Sequence, residues 1–313
     1  MLALDHERED FTQRGTASFF GDPNQDQSMD NTGWVAEFLS QPLERLDVSA
    51  SVRHDDNSDF ENTTTYRLTA SYLLANDTTR LHTSWGTGRK SPTFIERFGY
   101  FSGQFLGNPD LKPEQTRGFD VGIAQALLTG LLTVDLTYFD ERLKDEIDGF
   151  LFDSASGLFT AANLDGESRR QGAELELDAR LGEALRARLS YTYLDTRQPD
   201  PTGGSSREIR RPRHSAALNL NQAVLRGRGN LNLNLTYTGD QTDQYFPPPS
   251  FSTRTLTLDD YLLLDLTASY ALSERLTLYA RVNNLLNESY TDVIGYQAPG
   301  RGVYAGVRFG GAR

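Results

Sequence analysis

The chain contains no cysteine, so its fold cannot depend on disulfides. It lacks any run near the roughly 18 apolar residues that a membrane-spanning helix requires. Its first residues, MLALDHERED, lack the basic and apolar segments of a signal peptide. A net charge of −12 argues against nucleic acid as a partner, because phosphates require a surface rich in lysine and arginine. The lack of a spanning helix does not exclude a membrane protein built from strands, since transmembrane strands need only about 9–11 residues, half of them polar.

What the chain does have is alternation of apolar and polar residues, the pattern of β-strands. The alternation is clear at residues 276–283 and recurs along the chain. It predicts about fourteen strands of roughly ten residues, long enough to cross a bilayer at a tilt. Residues 144–152 are predicted to prolong the strand that begins at Leu132, and residues 158–170 to run into the strand at 173–181.

The connections between the predicted strands alternate between short and long. Tight turns such as Thr129-Gly130 and Gly182-Glu183 are followed by longer polar segments. Outer-membrane barrels have this layout, whereas a soluble sandwich or propeller has no reason to place all its long loops at one end. The long segments are residues 12–32, 89–113, 196–208, 241–259 and 285–300.

The two faces of the predicted strands differ in polarity. One face is apolar, and the other carries arginine, glutamate, aspartate and asparagine, the reverse of a small soluble barrel with an apolar interior. Trp34, Trp85 and several tyrosines at the ends of runs fit the aromatic girdles of a membrane protein. We therefore predict an all-β, transmembrane antiparallel β-barrel that faces the lipid bilayer of a Gram-negative outer membrane, with residues 1–313 as one domain.

Six stretches in order along the chain carry recognisable motifs. Together they resemble TonB-dependent outer-membrane receptors, most closely the cobalamin- and siderophore-receptor branch. Besides Ser91-Pro92-Thr93-Phe94 and Arg210-Arg211-Pro212-Arg213-His214, the matching residues are Arg53, Asp55, Asp56, Asn108, Pro109, Pro113, Glu114, Asn163, Gly172, Glu174, Asn283, Asn284, Leu285, Tyr290, Gly300, Arg301 and Phe309.

Most of these motif residues have a structural interpretation. Pro109 and Pro113 fix φ in a turn-rich return to the sheet, and Asn284 tolerates left-handed geometry at a strand end. The terminal aromatic of the family resembles a recognition signal for the outer-membrane assembly machinery. In this chain Gly310 to Arg313 follow Phe309, which departs from that pattern.

The resemblance implies import of a scarce small-molecule chelate, cobalamin or a ferric siderophore. In the family, ligand binds the outer loops and an N-terminal plug, and TonB pulls the plug to open a path through a 22-stranded barrel. No plug or TonB box precedes the strands here, so the chain is expected to be the C-terminal barrel portion of a receptor. It would meet the TonB complex only through a plug that it lacks.

Catalytic and metal sites are not indicated. The histidines (His6, His54, His82 and His214) are scattered, without the paired spacing of a zinc site. Ser215 follows His214, but neighbours in a strand point to opposite faces, and no GxSxG elbow occurs. We therefore predict that the protein is not an enzyme and has no cofactor.

Two groups of loop residues are candidates for ligand contact. Asp22, Asp26 and Asp30 offer hard oxygen ligands for calcium, with a solvated acidic loop as the alternative. Aromatic residues in the long loops could contact the chelate or pack loop against loop. They are Tyr100, Phe101, Phe105, Tyr245, Phe246 and Phe251.

The sequence alone leaves two alternatives to a receptor barrel. One is a self-contained passive channel of fourteen strands, and the other is a soluble β-sandwich that binds a ligand. The identity of the ligand cannot be read from the sequence, because it would reside in loops that follow no recognisable code.

Overall fold

The computed structural model describes residues 1–101, 103–200, 204–248 and 253–310, and most of them lie in twenty β-strands. In chain order the strands are β1 (Leu2–Gln13), β2 (Gln25–Leu43), β3 (Leu46–Asn57), β4 (Thr63–Leu73), β5 (Thr79–Lys90), β6 (Phe105–Leu106), β7 (Glu114–Leu127), β8 (Leu132–Lys144), β9 (Ile147–Asp153), β10 (Leu158–Asn163), β11 (Glu167–Leu181), β12 (Leu185–Pro199), β13 (Ser205–Ser206), β14 (His214–Val224), β15 (Gly229–Thr238), β16 (Gln241–Tyr245), β17 (Arg254–Leu258), β18 (Tyr261–Ala271), β19 (Leu276–Asn283) and β20 (Gly302–Phe309).

Fourteen of these strands form the path of one large antiparallel sheet, so the predicted strand number is confirmed. The path is β1-β2-β3-β4-β5-β7-β8-β11-β12-β14-β15-β18-β19-β20, and the short β13 pairs with β12 beside it. Within the described ranges, the buried apolar residues are few: Phe105, Leu111, Leu143, Ala161 and Leu258. A sandwich requires two sheets packed over a core, so the sandwich alternative is wrong.

The remaining strands belong to the loops. Strands β6, β9 and β10 form a separate three-stranded sheet, and β16 pairs with β17. The prediction that residues 144–152 prolong the preceding strand is therefore wrong. The chain turns at Asp145, whose φ is 53°, and residues 147–163 fold back as a hairpin. Alternation shows that a segment is extended but not which sheet it joins.

The long first loop is also shorter than predicted. Strands β1 and β2 pair without interruption from Leu2 opposite Ala36 to Gln13 opposite Gln25. The outer part of this ladder is polar on both faces, so apolar alternation could not reveal it. Asp26 and Asp30 consequently lie in β2 instead of a loop.

The helical content of the described residues is small. A five-residue helix, α1 (Phe94–Phe98), was not predicted. Thr93 and Glu96 form a capping box at its start, a signal that the sequence did carry. Two single-turn 3₁₀ segments, Leu128–Gly130 and Leu225–Gly227, close tight turns. In the described ranges no helix combines the length and the apolar character needed to cross a membrane.

The register of the sheet confirms that its two faces differ. Leu68 stands opposite Trp85, and Trp85 opposite Phe119, in a row of apolar side chains that continues across neighbouring strands. These side chains are exposed, Leu68 by 50% and Trp85 by 42%. Exposed apolar rows of this extent require an apolar surrounding, which lipid provides.

The opposite face carries polar pairs. Asn219 and Asn232 exchange reciprocal amide hydrogen bonds of 3.3 Å. Asn221 and Asn230, two residues further along the same pair of strands, do the same at 3.2 and 3.0 Å. Cross-strand amide pairs of this kind satisfy their donors and acceptors while leaving the face hydrophilic.

Candidate functional site

The site is the layer of loops at the end of the sheet where the long connections lie, and the motif residues tie this layer together. Leu111 is buried against Phe105 and Ala161, with Ile147 and Phe159 packed around them. Asn108 Nδ2 donates to the Ala161 carbonyl over 3.0 Å. The turn at residues 107–114 is therefore an anchor on the β9–β10 hairpin.

Asn163 makes a second connection at the same place. Its Oδ1 accepts from the Lys112 amide at 2.9 Å, and its Nδ2 donates to the carbonyls of Lys112 and Asp145 at 2.9 and 2.7 Å. Glu114 accepts from the Ile147 amide at 3.0 Å. Pro109 and Pro113 flank this turn, so the motif residues fix the two longest loops of this region to each other.

Gly172 leaves space within the sheet. A side chain there would collide with the Tyr193 carbonyl and the ring of Phe139. Glu174 lies two residues further on the same polar face, opposite Thr137 and Thr192. The glycine of this motif is therefore required by close cross-strand packing.

Arg53 and Asp55 join three strands on the polar face. The Arg53 guanidinium donates to both carboxylate oxygens of Asp5, at 3.1 and 3.0 Å, and also to Asp55. Asn31 Nδ2 donates to Asp55 at 2.8 Å. Asp56 is the next residue and lies on the opposite face, opposite Thr32.

Arg97 of α1 is a buried cation that the sequence did not single out. Its Nη1 donates to Asp59 at 2.9 Å, and its guanidinium lies over the rings of Phe60 and Phe98 at 4.5 and 4.7 Å. Burial raises the pKa of Asp59, but hydrogen bonds from Ser58 and Arg97 outweigh it and leave the pKa below its usual value. The helix is thereby fixed to the loop between β3 and β4.

Asp243 is a second buried charge that sequence reasoning missed. Its carboxylate is fully buried and accepts hydrogen bonds from the amides of Ile294 and Gln244 and from Arg210 Nε, each at 2.8 Å. Burial raises the pKa of Asp243. The two amide hydrogen bonds and the one from Arg210 lower it by more, so the pKa lies below its usual value. One carboxylate thus holds together the loops that follow β12, β15 and β19.

The C-terminal motif shapes the last of these loops. Asn284 has φ of 49°, as predicted, and exchanges hydrogen bonds with the backbone of Glu288 at 2.9 and 2.8 Å. Asn287 is also left-handed and accepts from the Arg301 amide at 3.0 Å, beside Gly300. Leu285 donates its amide to the Leu264 carbonyl. Asn283 ends β19, and Phe309 pairs with Leu276 in the final strand.

The loop aromatics have different environments. Tyr100 and Phe246 are about half exposed, at 49% and 48%, and Tyr100 packs edge-on against Phe101. Phe105 is buried in the hydrophobic cluster, where its ring stacks 6.2 Å from that of Phe150. For Phe105 the structure therefore shows loop-on-loop packing. Tyr245 ends β16, and Phe251 lies outside the described residues.

The structure does not gather the three predicted calcium ligands. Asp26 pairs with Arg14 at 2.8 Å, and Asp22 accepts from the backbone amide of Asn24 at 3.0 Å. Asp30 faces Arg8 across the β1–β2 ladder. No group of three or more acidic, histidine or cysteine side chains suited to a metal occurs in the described ranges.

Comparison with known proteins defines the class. The family model for TonB-dependent receptor-like β-barrels matches residues 3–285. The chain therefore belongs to the TonB-dependent receptor β-barrel family, whose members lie in the outer membrane of Gram-negative bacteria. The family resemblance inferred from the motifs is confirmed.

Individual relatives point in the same direction. The chain is 28% identical over 312 residues to a vitamin B12 transporter, BtuB, of Vibrio vulnificus, covering 98% of this chain and 46% of the relative. It is 29% identical over 257 residues to BtuB of Photobacterium profundum, covering 82% of this chain and 39% of the relative. The chain thus spans less than half the length of these relatives.

Solved structures share the fold. The siderophore receptor PirA of Acinetobacter baumannii matches with a TM-score of 0.78 at 18% identity, over 98% of this chain and 51% of the receptor. A mutant of the ferric enterobactin receptor PfeA of Pseudomonas aeruginosa, crystallised with enterobactin, matches with a TM-score of 0.81 at 18% identity and the same coverage. At this identity the likeness defines the architecture alone.

Proposed function

We propose that this chain is the barrel part of a receptor that imports a scarce chelate, either cobalamin or a ferric siderophore. The observation that carries the proposal is the loop layer, in which motif residues fix the loops above a polar sheet face while the rings of Tyr100 and Phe246 are half exposed. Ligand-binding residues commonly sit on loops that a rigid scaffold positions. The vitamin B12 transporters and siderophore receptors among the relatives support this ligand class.

The edges of the sheet support a larger assembly. Within the described ranges, β1 pairs with β2 alone and β20 with β19 alone. Unpaired backbone groups at a sheet edge are costly in a bilayer. We therefore infer that further strands complete the barrel in the working receptor. The plug and its contact with TonB would be supplied with those strands.

A transport experiment tests this proposal. The chain alone is expressed in a bacterium that lacks its own cobalamin receptor, and uptake of labelled cobalamin is measured with and without TonB. We expect no TonB-dependent accumulation from the chain alone. We expect uptake of cobalamin or a ferric siderophore once the chain is joined to the N-terminal half of the Vibrio vulnificus BtuB.

Two outcomes would contradict the proposal. The first is TonB-dependent accumulation by the chain alone. The second is a membrane-inserted chimera that carries neither class of chelate. Surface labelling of the chimera provides the control for insertion.

A passive channel is the second candidate, favoured by the asparagine pairs on the polar face, which would line a wet pore. Recordings in planar bilayers distinguish the two functions. A steady single-channel conductance from the chain alone supports the channel, and its absence in preparations that contain inserted protein supports the receptor.

A further inference from the structure

A cavity of about 520 Å³ lies between the start of β18 and the loop that joins β19 to β20. This volume falls within the range of small-molecule sites. The sequence motifs gave a structural role to the residues of this loop, and none of the predicted ligand contacts falls here. The wall includes Arg210, Tyr261, Leu263, Tyr290, Asp292 and Tyr296.

One side of the cavity is aromatic. The rings of Tyr261 and Tyr290 lie 4.4 Å apart between centroids and are tilted by 34°. Tyr296 is 77% exposed, so its ring is available at the rim. Leu263 and Pro299 add apolar surface. Tyrosine combines a flat apolar face with a hydroxyl, which suits a ligand that is apolar on its faces and polar at its edges.

The polar groups of the cavity include unused donors and unused acceptors. Arg210 Nε donates a hydrogen bond to Asp243, and its Nη atoms have no hydrogen-bond partner in the described ranges. Asp292 accepts through Oδ1 from the Tyr261 hydroxyl at 3.0 Å and from Gln241 at 3.3 Å. Its Oδ2 has no hydrogen-bond partner among the same residues. A ligand here can therefore both accept and donate.

The charges argue against an ionic ligand. The positive charge of Arg210 is matched by Asp243, and Asp292 would repel an anion. A single carboxylate is a weak site for an isolated cation, and Arg210 in the same wall would repel one. A neutral group with several hydroxyls fits this mixture of donors and acceptors.

From this geometry we propose that the cavity binds a neutral, hydroxylated ring such as a pyranose sugar. The ring's apolar C–H face would pack on the tyrosines, and its hydroxyls would meet the Arg210 Nη atoms and Asp292 Oδ2. Leu263 lies on the same face of β18 as Asp265, opposite the lipid-facing Leu264. The sugar therefore arrives from water and not from a glycolipid head group in the membrane. This inference is independent of the chelate proposed above.

The test titrates methyl β-glucoside against the full chain in amine-oxide micelles, which carry no sugar, and follows binding by saturation-transfer NMR. We expect a dissociation constant in the millimolar range, roughly 1–10 mM, and binding of cyclohexanol at least about tenfold weaker. Tyr290→Leu should weaken glucoside binding about tenfold, and Tyr290→Phe, which keeps the ring, less than about threefold. Tyr66→Leu, at an exposed tyrosine of β4 away from this cavity, is the matched control and should change nothing.

Arg210→Lys provides a second variant, because it keeps a positive charge for Asp243 but lacks the paired Nη donors. It should weaken binding about tenfold while protease resistance of the loops is retained. The proposal is wrong if no glucoside binds up to about 100 mM, if cyclohexanol binds equally well, or if both Tyr290→Leu and Arg210→Lys leave the affinity unchanged. Tyr290-dependent binding of lipopolysaccharide without binding of the free glucoside would overturn the aqueous source. Loss of sugar binding would leave chelate uptake by the chimera intact, so the two proposals fail separately.

Discussion

Arg97 and Asp243 are buried charges of opposite sign in the loop layer, and the structure satisfies them differently. Arg97 is 7% exposed, yet its Nε has no hydrogen-bond partner in the described ranges, and two aromatic rings cover much of its guanidinium. Asp243 is fully buried and accepts three hydrogen bonds, two of them from backbone amides of different loops. Asp243 thus connects several loop segments, whereas Arg97 depends on one carboxylate and on packing.

The difference predicts unequal consequences when each charge is removed. Asp243→Asn keeps the shape but places an amide NH₂ where a carboxylate oxygen accepted, leaving at least one buried donor unpaired. We expect a loss of about 3 kcal/mol in the stability of the loop layer. Hydrogen exchange of residues 284–301 in micelles should then be faster by about 100-fold.

Asp240→Asn is the matched control for this change. Asp240 is mostly exposed and lies 3.8 Å from Arg207, so its loss should leave exchange within about twofold. Equal effects of the two substitutions would show that Asp243 does not hold the loops together.

The weaker effect is expected at the cation. Arg97→Met replaces the guanidinium with an apolar side chain that can stay between Phe60 and Phe98, and Asp59, which is 21% exposed, can reach water. We expect a loss below about 1.5 kcal/mol, because an apolar replacement of a buried ion is often tolerated. Thermal unfolding of the chain in micelles, with Arg254→Met as the exposed control, measures this difference. A loss as large as that of Asp243→Asn would refute the contrast between the two sites.

The large sheet could be predicted from the sequence more completely than the loop layer. Alternation at residues such as Leu276 and Leu278 depends on neighbours in the chain, so strand number and facing were predictable. It failed at residues 25–32, which were predicted as loop but belong to β2, because strands that project beyond the apolar belt are polar on both faces. The left-handed Asn284 was also predictable, since its geometry is local.

The two buried charges were not predictable for a physical reason. Asp243 meets Ile294, which is 51 residues away, and Arg97 meets Asp59, which is 38 residues away. Nothing near either residue distinguishes it from the exposed charges that surround it in the sequence. Their roles arise only when separate loops converge. Glu96, by contrast, could have indicated the helix through its spacing from Thr93.

The smallest effect is expected when the pH is lowered. It also gives the sharpest comparison between the sites of Asp59 and Asp243. The pKa values of Asp59 and Asp243 are both lowered in the folded protein, so each carboxylate binds its proton more readily when unfolded. Their contributions are therefore fully present above the ordinary aspartate value of 3.8 and are lost as pH falls below it through the lowered pKa. Protease resistance of the loops should be flat from about pH 5 to 8 and should decline in acid below about pH 4.

Asp243→Asn should remove most of that acid decline at residues 284–301 while leaving the decline around Asp59 in place. A parallel loss in both regions would mean that the two sites act as one unit.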